Sequence, residues 1–326
     1  MLKDYLRKIK ILVIIFCILK NYKAKLLFSF KFFKQKSGAM HSALAIDQNV
    51  NYIFDVFNDY LYYGRLREED LIHKEILEVG PGNNLGVALL FLAKGAKRVV
   101  CWDKFNPVEN IAQQIQIYKS LKYRLNAKEK KRYDDCIEDI DKLAFNPTKL
   151  MYTYGKGIED ADLKNESYDL IVSRAVLEHI YNIDRAFSLM QDSLKPKGIF
   201  LHKIDLRDHG IFSSSGMNPL TFLTISPKIW RMMSEYSGRP NRKRIDYYRR
   251  IFNQNRFDTT IFITHIVGLP NELIPHRKYS EYVVNDNDDT LNLIKEIRPQ
   301  LSPEFRILSD KDLAISGIFL VARKSK

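Results

Sequence analysis

Cysteine is scarce in this 326-residue chain: Cys17, Cys101 and Cys136 are the only three. Their spacing fits no metal-ligand motif, and an odd number cannot complete a disulfide framework, so a reducing compartment is expected. Long apolar runs are missing as well. The longest, Ile11 to Leu19, has nine residues, whereas a membrane-spanning helix needs roughly 20. The small residues of a secretory cleavage site are absent after it, where "KNYKAK" stands instead. Acids are nearly absent from one region only. Residues 1–38 hold ten Lys/Arg and one acid, so +9 of the net +13 sits there and +4 is spread over the other 288 residues. That body lacks the basic surface of a nucleic-acid binder, and no RNA module is recognisable in it; nucleic acid is not expected as a partner.

What is present is a core-forming composition, 45% apolar and 28% charged, enough for one large domain or two small ones. Residues 1–40 read as a basic amphipathic arm, with lysines interleaved among Leu, Ile and Phe. That pattern suits a helix lying on an anionic membrane surface. The expected location is therefore cytoplasmic, peripheral on the inner membrane face. Residues 41–326 read as one α/β domain, because strand-like and helix-like stretches alternate from about residue 74. Strands are expected at 75–81, 98–104, 149–155, 168–175 and 196–206, and helices at 84–97, about 108–141 and about 184–194. After them, 211–245 breaks the rhythm ("SSSG", "NPL", "SGRPNRKR") and reads as an inserted lid over an acceptor. There Phe212, Phe222, Trp230 and Tyr236 would offer apolar faces, and "RPNRKR" would offer charge to a phosphate or carboxylate. A helix at 244–257, a strand at 258–267, a helix at 289–301 and a strand at 315–324 complete the pattern, the late strands forming a pair at the sheet edge.

"ILEVGPGNNLG" is strand, turn and helix start, with Gly80-Pro81-Gly82 as the turn. Glycines there allow a ligand close to the backbone at the switch point of a parallel sheet. The third glycine of a dinucleotide fingerprint would fall at Leu85, and Pro81 removes one N–H from any phosphate cradle. A nucleoside ligand without a pyrophosphate fits better. Glu78 sits among apolar residues, where a carboxylate needs a donor or a cation; S-adenosylmethionine carries a cationic amino-acid end. Asp103, ending the second strand, is placed for ribose hydroxyls.

With these residues the chain resembles the class I S-adenosylmethionine-dependent methyltransferases, through about residues 60–206. The resemblance implies a Rossmann-like, doubly wound, seven-stranded sheet. It places Glu78, Gly80, Pro81 and Gly82 on the methionine part of the cofactor and Asp103 on the ribose. Ile158 and Glu159 of "GIED" would lie beside the adenine, and Ser173 of "SRAVLEHI" near the cofactor. Asn84 stands where many members have a further glycine. Ala175 stands where metal-dependent members carry an acid, so no metal ligand set is assigned, although Glu178 and His179 remain. More narrowly, "HKIDLRDH" and "NPLTFL" are similar to methyltransferases of bacterial surface-polysaccharide clusters, which implies a glycan or glycolipid precursor as acceptor.

An alcohol acceptor must lose its proton, which calls for a base with a pKa near working pH. His209 is the first candidate, with Asp205 or Asp208 orienting it, and His179 is the second. His202, inside a strand, reads as structural. Two other readings are a small-molecule acceptor of another kind, namely a membrane lipid or quinone, and a non-catalytic binding protein of the same fold.

Overall fold

The computed structural model describes residues 9–29, 44–82, 84–105, 110–284 and 289–325. The chain forms two compact units. The first comprises residues 34–176, 182–202 and 321–326, and the second comprises residues 1–33, 177–181 and 203–320.

In the first unit, β1 (Glu75–Val79) pairs in parallel with β2 (Arg98–Asp103). Both are almost wholly buried runs, as strands covered on two faces must be. Between them the helix Gly86–Ala93, "GVALLFLA", has every residue buried, the state expected of a helix that is apolar all round. The helix Ile46–Gly64 packs on it: Phe57 and Tyr60 meet the Phe91 ring at 5.1 and 6.1 Å between centroids.

The long helix expected at 108–141 is instead two helices, Ile111–Tyr123 and Ala127–Asp134, followed by a small hairpin, β3 (Ile137–Asp139) with β4 (Ala144–Phe145). The break has a local cause. The Asn126 side chain accepts the Glu129 N–H at 3.0 Å while Glu129 accepts the Asn126 N–H at 3.1 Å, a reciprocal cap that starts a new helix. Next, β5 (Leu150–Tyr154) pairs in parallel with β2, and β6 (Tyr168–Arg174) with β1. β7 (Leu194–Asp205) follows β6 in the sheet, giving the order β5-β2-β1-β6-β7. The chain therefore starts mid-sheet, runs outward through β2 and β5, and returns to β6 on the other side of β1. The carboxyl ends of β1 and β6 are the point where such sheets bind ligands.

The second unit is built on the last residues of β7, β8 (Phe257–Ile266), β9 (Arg277–Lys278) and most of β10 (Ile315–Lys324), in the order β7-β10-β8-β9. The two-residue β9 pairs antiparallel with Phe262 and Ile263, one short strand beyond the seven expected. Parallel and antiparallel strands with flanking helices make this the Rossmann-like α/β fold.

Residues 211–245 depart from the expected acceptor lining. Phe212, Phe222 and Trp230 are buried, Phe222 against Trp230 at 5.9 Å, and the Trp230 indole donates to the Pro240 carbonyl at 2.9 Å. Two arginines of "RPNRKR" are buried too. Arg242 donates to the Phe222 and Ile225 carbonyls at 3.0 and 2.6 Å. Arg244 donates to the carbonyls of Leu206 (2.7 Å), Leu313 (3.1 Å) and Ile315. These aromatic and basic groups serve the interior, where the guanidinium groups bind carbonyls brought together from separate segments of the chain.

Arg244→Met keeps the volume but orphans three buried carbonyls. We expect a loss of roughly 3 kcal/mol of unfolding free energy, seen as a lower urea midpoint. An unchanged midpoint would show that water replaces the guanidinium without cost.

Candidate active site

In the first unit the turn after β1 has two left-handed glycines, Gly80 (φ +67°) and Gly82 (φ +75°), a conformation that strains other residues. They differ in what surrounds them. A Cβ on Gly80 would lie 2.4 Å from Val176 Cγ2, so glycine is needed there for packing as well; one on Gly82 would meet nothing within 4 Å, leaving that side open to a ligand. Pro81 between them is half-buried, and the Gly80 N–H donates to the Trp102 carbonyl at 2.8 Å, tying the turn to β2.

Two acids stand at this end of the sheet. Glu78 is 5% exposed, with the Cys101 thiol 3.6 Å from its Oε2 across the β1–β2 register. Burial pushes its carboxyl up to about 7. Asp103 is also buried; its Oδ1 accepts the Phe105 N–H at 2.9 Å, and burial raises it to about 6. Among the described residues neither acid forms an ion pair. A cation beside Glu78 and hydroxyl donors beside Asp103 are what such groups lack, and S-adenosylmethionine carries both.

The remaining candidates of this unit fall around the same strand ends. Ile158 is buried on the one-turn helix Ile158–Asp160 after β5. The Glu159 carboxylate lies 3.9 Å from Lys104 Nζ, and its carbonyl accepts from Arg185 Nε at 2.7 Å. Ser173, opposite Val79 in the β1–β6 register, is buried with its Oγ 2.7 Å from His202 Nδ1. Burial lowers His202 to about 3, consistent with a neutral structural histidine. Arg174, at the end of β6, pairs with Asp59 at 2.7 Å and lies over the Tyr52 ring at 5.4 Å, both on the helix Ile46–Gly64, an element that sequence reasoning missed.

The second unit holds the candidate acid–base groups. Glu178 and His179 lie on the one-turn helix Leu177–His179. Asn241 pins that turn: its side chain donates to the Leu177 and Ile180 carbonyls at 2.8 and 2.7 Å, and its N–H donates to the Glu178 carbonyl at 2.6 Å. Glu178 is buried. Its Oε1 accepts the Asp205 N–H at 3.3 Å, while Oε2 has no partner among the described residues. Burial holds this carboxyl well above the ordinary range, so it is neutral.

The His179 and His209 rings meet edge to face at 4.9 Å between centroids. Burial, then the neighbouring His209, lowers His179 to about 4. Burial also lowers His209, but Asp205, with Oδ2 at 3.6 Å from Nε2, acts in the opposite direction. Asp205 stays ionised. Burial alone would raise it, and the Arg207 guanidinium outweighs this with contacts at 2.7–3.1 Å. His209 is held in the left-handed region at φ +52°, followed by Gly210 at +74°. A non-glycine residue kept there by its surroundings is a feature of functional loops.

Asp208 does not orient His209. Its buried carboxylate accepts from the N–H groups of Gly210 (2.9 Å), Phe212 (2.7 Å) and Ser213 (2.8 Å) and from the Ser213 hydroxyl (2.5 Å). Four donors occupy it, and the carboxylate that faces the imidazole is Asp205. Ligand atoms of Glu178, His179 and His209 lie within 4.8 Å of one another, the one group of this kind among the described residues, and could converge on a cation.

A nucleoside-suited glycine turn, with two acids that form no ion pair among the described residues, at the switch point of a Rossmann-like sheet defines the class I methyltransferase arrangement. The sequence matches the family described as "Methyltransferase domain" over residues 48–260, well over half its length, and the chain belongs to that family. It is an S-adenosylmethionine-dependent methyltransferase. No curated protein matches it. Among solved structures it is similar to Haemonchus contortus phosphoethanolamine N-methyltransferase 2 in complex with phosphomonomethylethanolamine and S-adenosylhomocysteine. There the identity is 15% and the TM-score 0.43, covering 85% of this chain and 53% of that one. The chain thus spans about half the length of that enzyme. It is also similar to an S-adenosylmethionine-dependent methyltransferase from Mesorhizobium loti (15% identity, TM-score 0.39, 82% and 98% covered) and to the YcgJ protein of Bacillus subtilis (13%, 0.41, 84% and 99%).

The Glu78 shift has a consequence for binding. In the free protein its carboxyl is half protonated near pH 7, and a cation favours the carboxylate. Affinity for S-adenosylmethionine should therefore rise with pH through about 7, and fall by as much as tenfold per unit below it. Glu78→Gln should weaken binding and leave only the shallower step from Asp103 near 6. Calorimetric titration of both proteins at about pH 6 and about pH 8 decides; a flat wild-type profile would remove Glu78 from the cation's side.

Proposed function

We propose that this chain methylates a hydroxyl of a glycan or glycolipid precursor, with His209 as general base. The observation that carries the reading is the arrangement of His209: a neutral imidazole beside an ionised Asp205 that Arg207 holds in place. Support for the acceptor class comes from the likeness of "HKIDLRDH" and "NPLTFL" to polysaccharide-cluster enzymes. Glu78 and Asp103 would anchor the cofactor through its cationic and ribose groups, and the open side of Gly82 would let it approach the backbone.

When bound, the cofactor supplies a methyl group already activated by its sulfonium. The protein's own tasks are then to align the acceptor and to remove one proton. His209 takes the proton of the acceptor hydroxyl, and the Asp205 carboxylate stabilises the imidazolium that results. His179, held near 4, stays neutral and can accept a hydrogen bond from the acceptor. A second reading, a membrane lipid or quinone as acceptor, is favoured by the apolar outer face of the helix Lys10–Ser29.

The test is methyl transfer from labelled S-adenosylmethionine to glycan and lipid extracts, comparing wild type with His209→Asn. Asparagine tolerates the left-handed backbone but cannot act as a base. Its rate should fall by about 10²–10⁴-fold with cofactor affinity unchanged within about twofold. The wild-type rate should rise with pH through a pKa below 6.5 and level off above it, since only the neutral imidazole accepts a proton. A variant retaining a third of the wild-type rate would eliminate His209 as the base.

A further inference from the structure

The helix Lys10–Ser29 has two faces that the methyltransferase chemistry does not use. Its inner face is buried: Val13, Cys17, Asn21 and Ala24 recur at helical spacing and pack within the second unit, where this helix meets the helix Pro227–Ser234. Asn21 fixes its rotation, donating to the Met232 carbonyl at 2.9 Å and accepting the Tyr236 N–H at 2.7 Å. Lys10 Nζ donates to Thr224 Oγ1 at 2.5 Å near its start.

The opposite face is apolar and exposed among the described residues. Ile11, Ile15, Leu19, Tyr22 and Leu26 follow one another at spacings of four, four, three and four, and Ile11, Leu19 and Tyr22 are each more than 60% exposed. At 1.5 Å per residue this stripe runs for about 22 Å. Scattered exposed hydrophobics are ordinary on a soluble surface, but a continuous stripe on a helix of fixed rotation marks a contact surface.

Charge selects the occupant. The helix carries Lys10, Lys20, Lys23 and Lys25 and no acid; Lys20 and Lys23 are exposed on one flank of the stripe. Residues 1–38 together hold ten Lys/Arg against one acid. A second copy would bring the same charge against itself. No described helix is long and apolar enough to cross a membrane. An in-plane helix with an apolar face and a lysine flank fits the boundary between anionic headgroups and acyl chains.

We propose that the outer face of the helix Lys10–Ser29 docks this protein on an anionic lipid surface, with Ile15, Leu19 and Tyr22 entering the acyl boundary. The inference stands apart from the identity of the methyl acceptor and from the role of His209. The test is co-sedimentation of the full chain with phosphatidylcholine vesicles containing about 30% phosphatidylglycerol or none, at about 0.1 M salt. Partitioning should be at least about tenfold stronger on the anionic vesicles and should weaken as salt is raised. The double variant Leu19→Ser/Tyr22→Ser should lose about tenfold or more while keeping its circular dichroism spectrum and its affinity for S-adenosylmethionine. A milder variant, Leu19→Ala, should give a smaller loss in the same direction, which separates lost lipid contact from lost folding. The proposal is overturned if wild type ignores the anionic vesicles, if the double variant binds them as wild type does, or if the stripe proves to hold two copies together in ultracentrifugation.

Discussion

Glu78 and Asp103 are two carboxyl groups placed in apolar surroundings at the ends of neighbouring parallel strands, with no cation on either among the described residues. Their burial is a cost, visible in the upward shifts to about 7 and about 6. The strands that impose it are held by an apolar sheet and a helix buried along its whole length. Only the completeness of that core lets the acids stay dry, and staying dry makes them selective. A carboxylate in water gains little from a bound cation, whereas one already stripped of solvent gains much more. The rigidity of the sheet thus sets how much these acids would gain from a cationic ligand.

The second unit manages its polar groups differently. Arg244 and Arg242 bind buried carbonyls from separate segments of the chain. Asp208 caps the loop that follows with four accepted hydrogen bonds. Between these contacts His209 is held left-handed. Much of the charge that looks catalytic in the sequence is bound to backbone groups instead.

This explains what could be read in advance. The turn "VGPG" announced itself because two glycines beside a buried acid have few structural explanations, and the strands showed as continuous apolar runs. The split of residues 108–141 was legible in principle: Asn126 and Glu129 have capping spacing. The Asp208 cap was also legible, since Asp followed two residues later by Gly is a turn signature. The arginines were not. A string such as "RPNRKR" reads as solvated surface, and only the carbonyls of Leu206, Leu313 and Ile315, distant in sequence, show why Arg244 is inside. The helix Ile46–Gly64 escaped notice because Asn and Asp interrupt its apolar positions, Val50, Ile53, Phe57 and Tyr60. Its partners Phe91 and Arg174 belong to elements far along the chain.

Three histidines were candidates or neighbours of candidates, and their environments sort them. His202 is wholly enclosed, bound to Ser173 and lowered to about 3, too weak a base to matter at neutral pH. His179 is lowered to about 4 because burial acts first and its neighbour His209 reinforces it. Asp205 opposes burial at both, but at His209 it stands directly against the ring, with Oδ2 3.6 Å from Nε2, and His209 is the more exposed of the two. A base must be neutral before it accepts a proton and stabilised once it has accepted one. In the proposed role of His209, Asp205 would supply the second condition without forcing protonation beforehand, because Arg207 shares the carboxylate and tempers its pull. Removing Arg207 would strengthen the Asp205–His209 attraction and raise the imidazole's pKa.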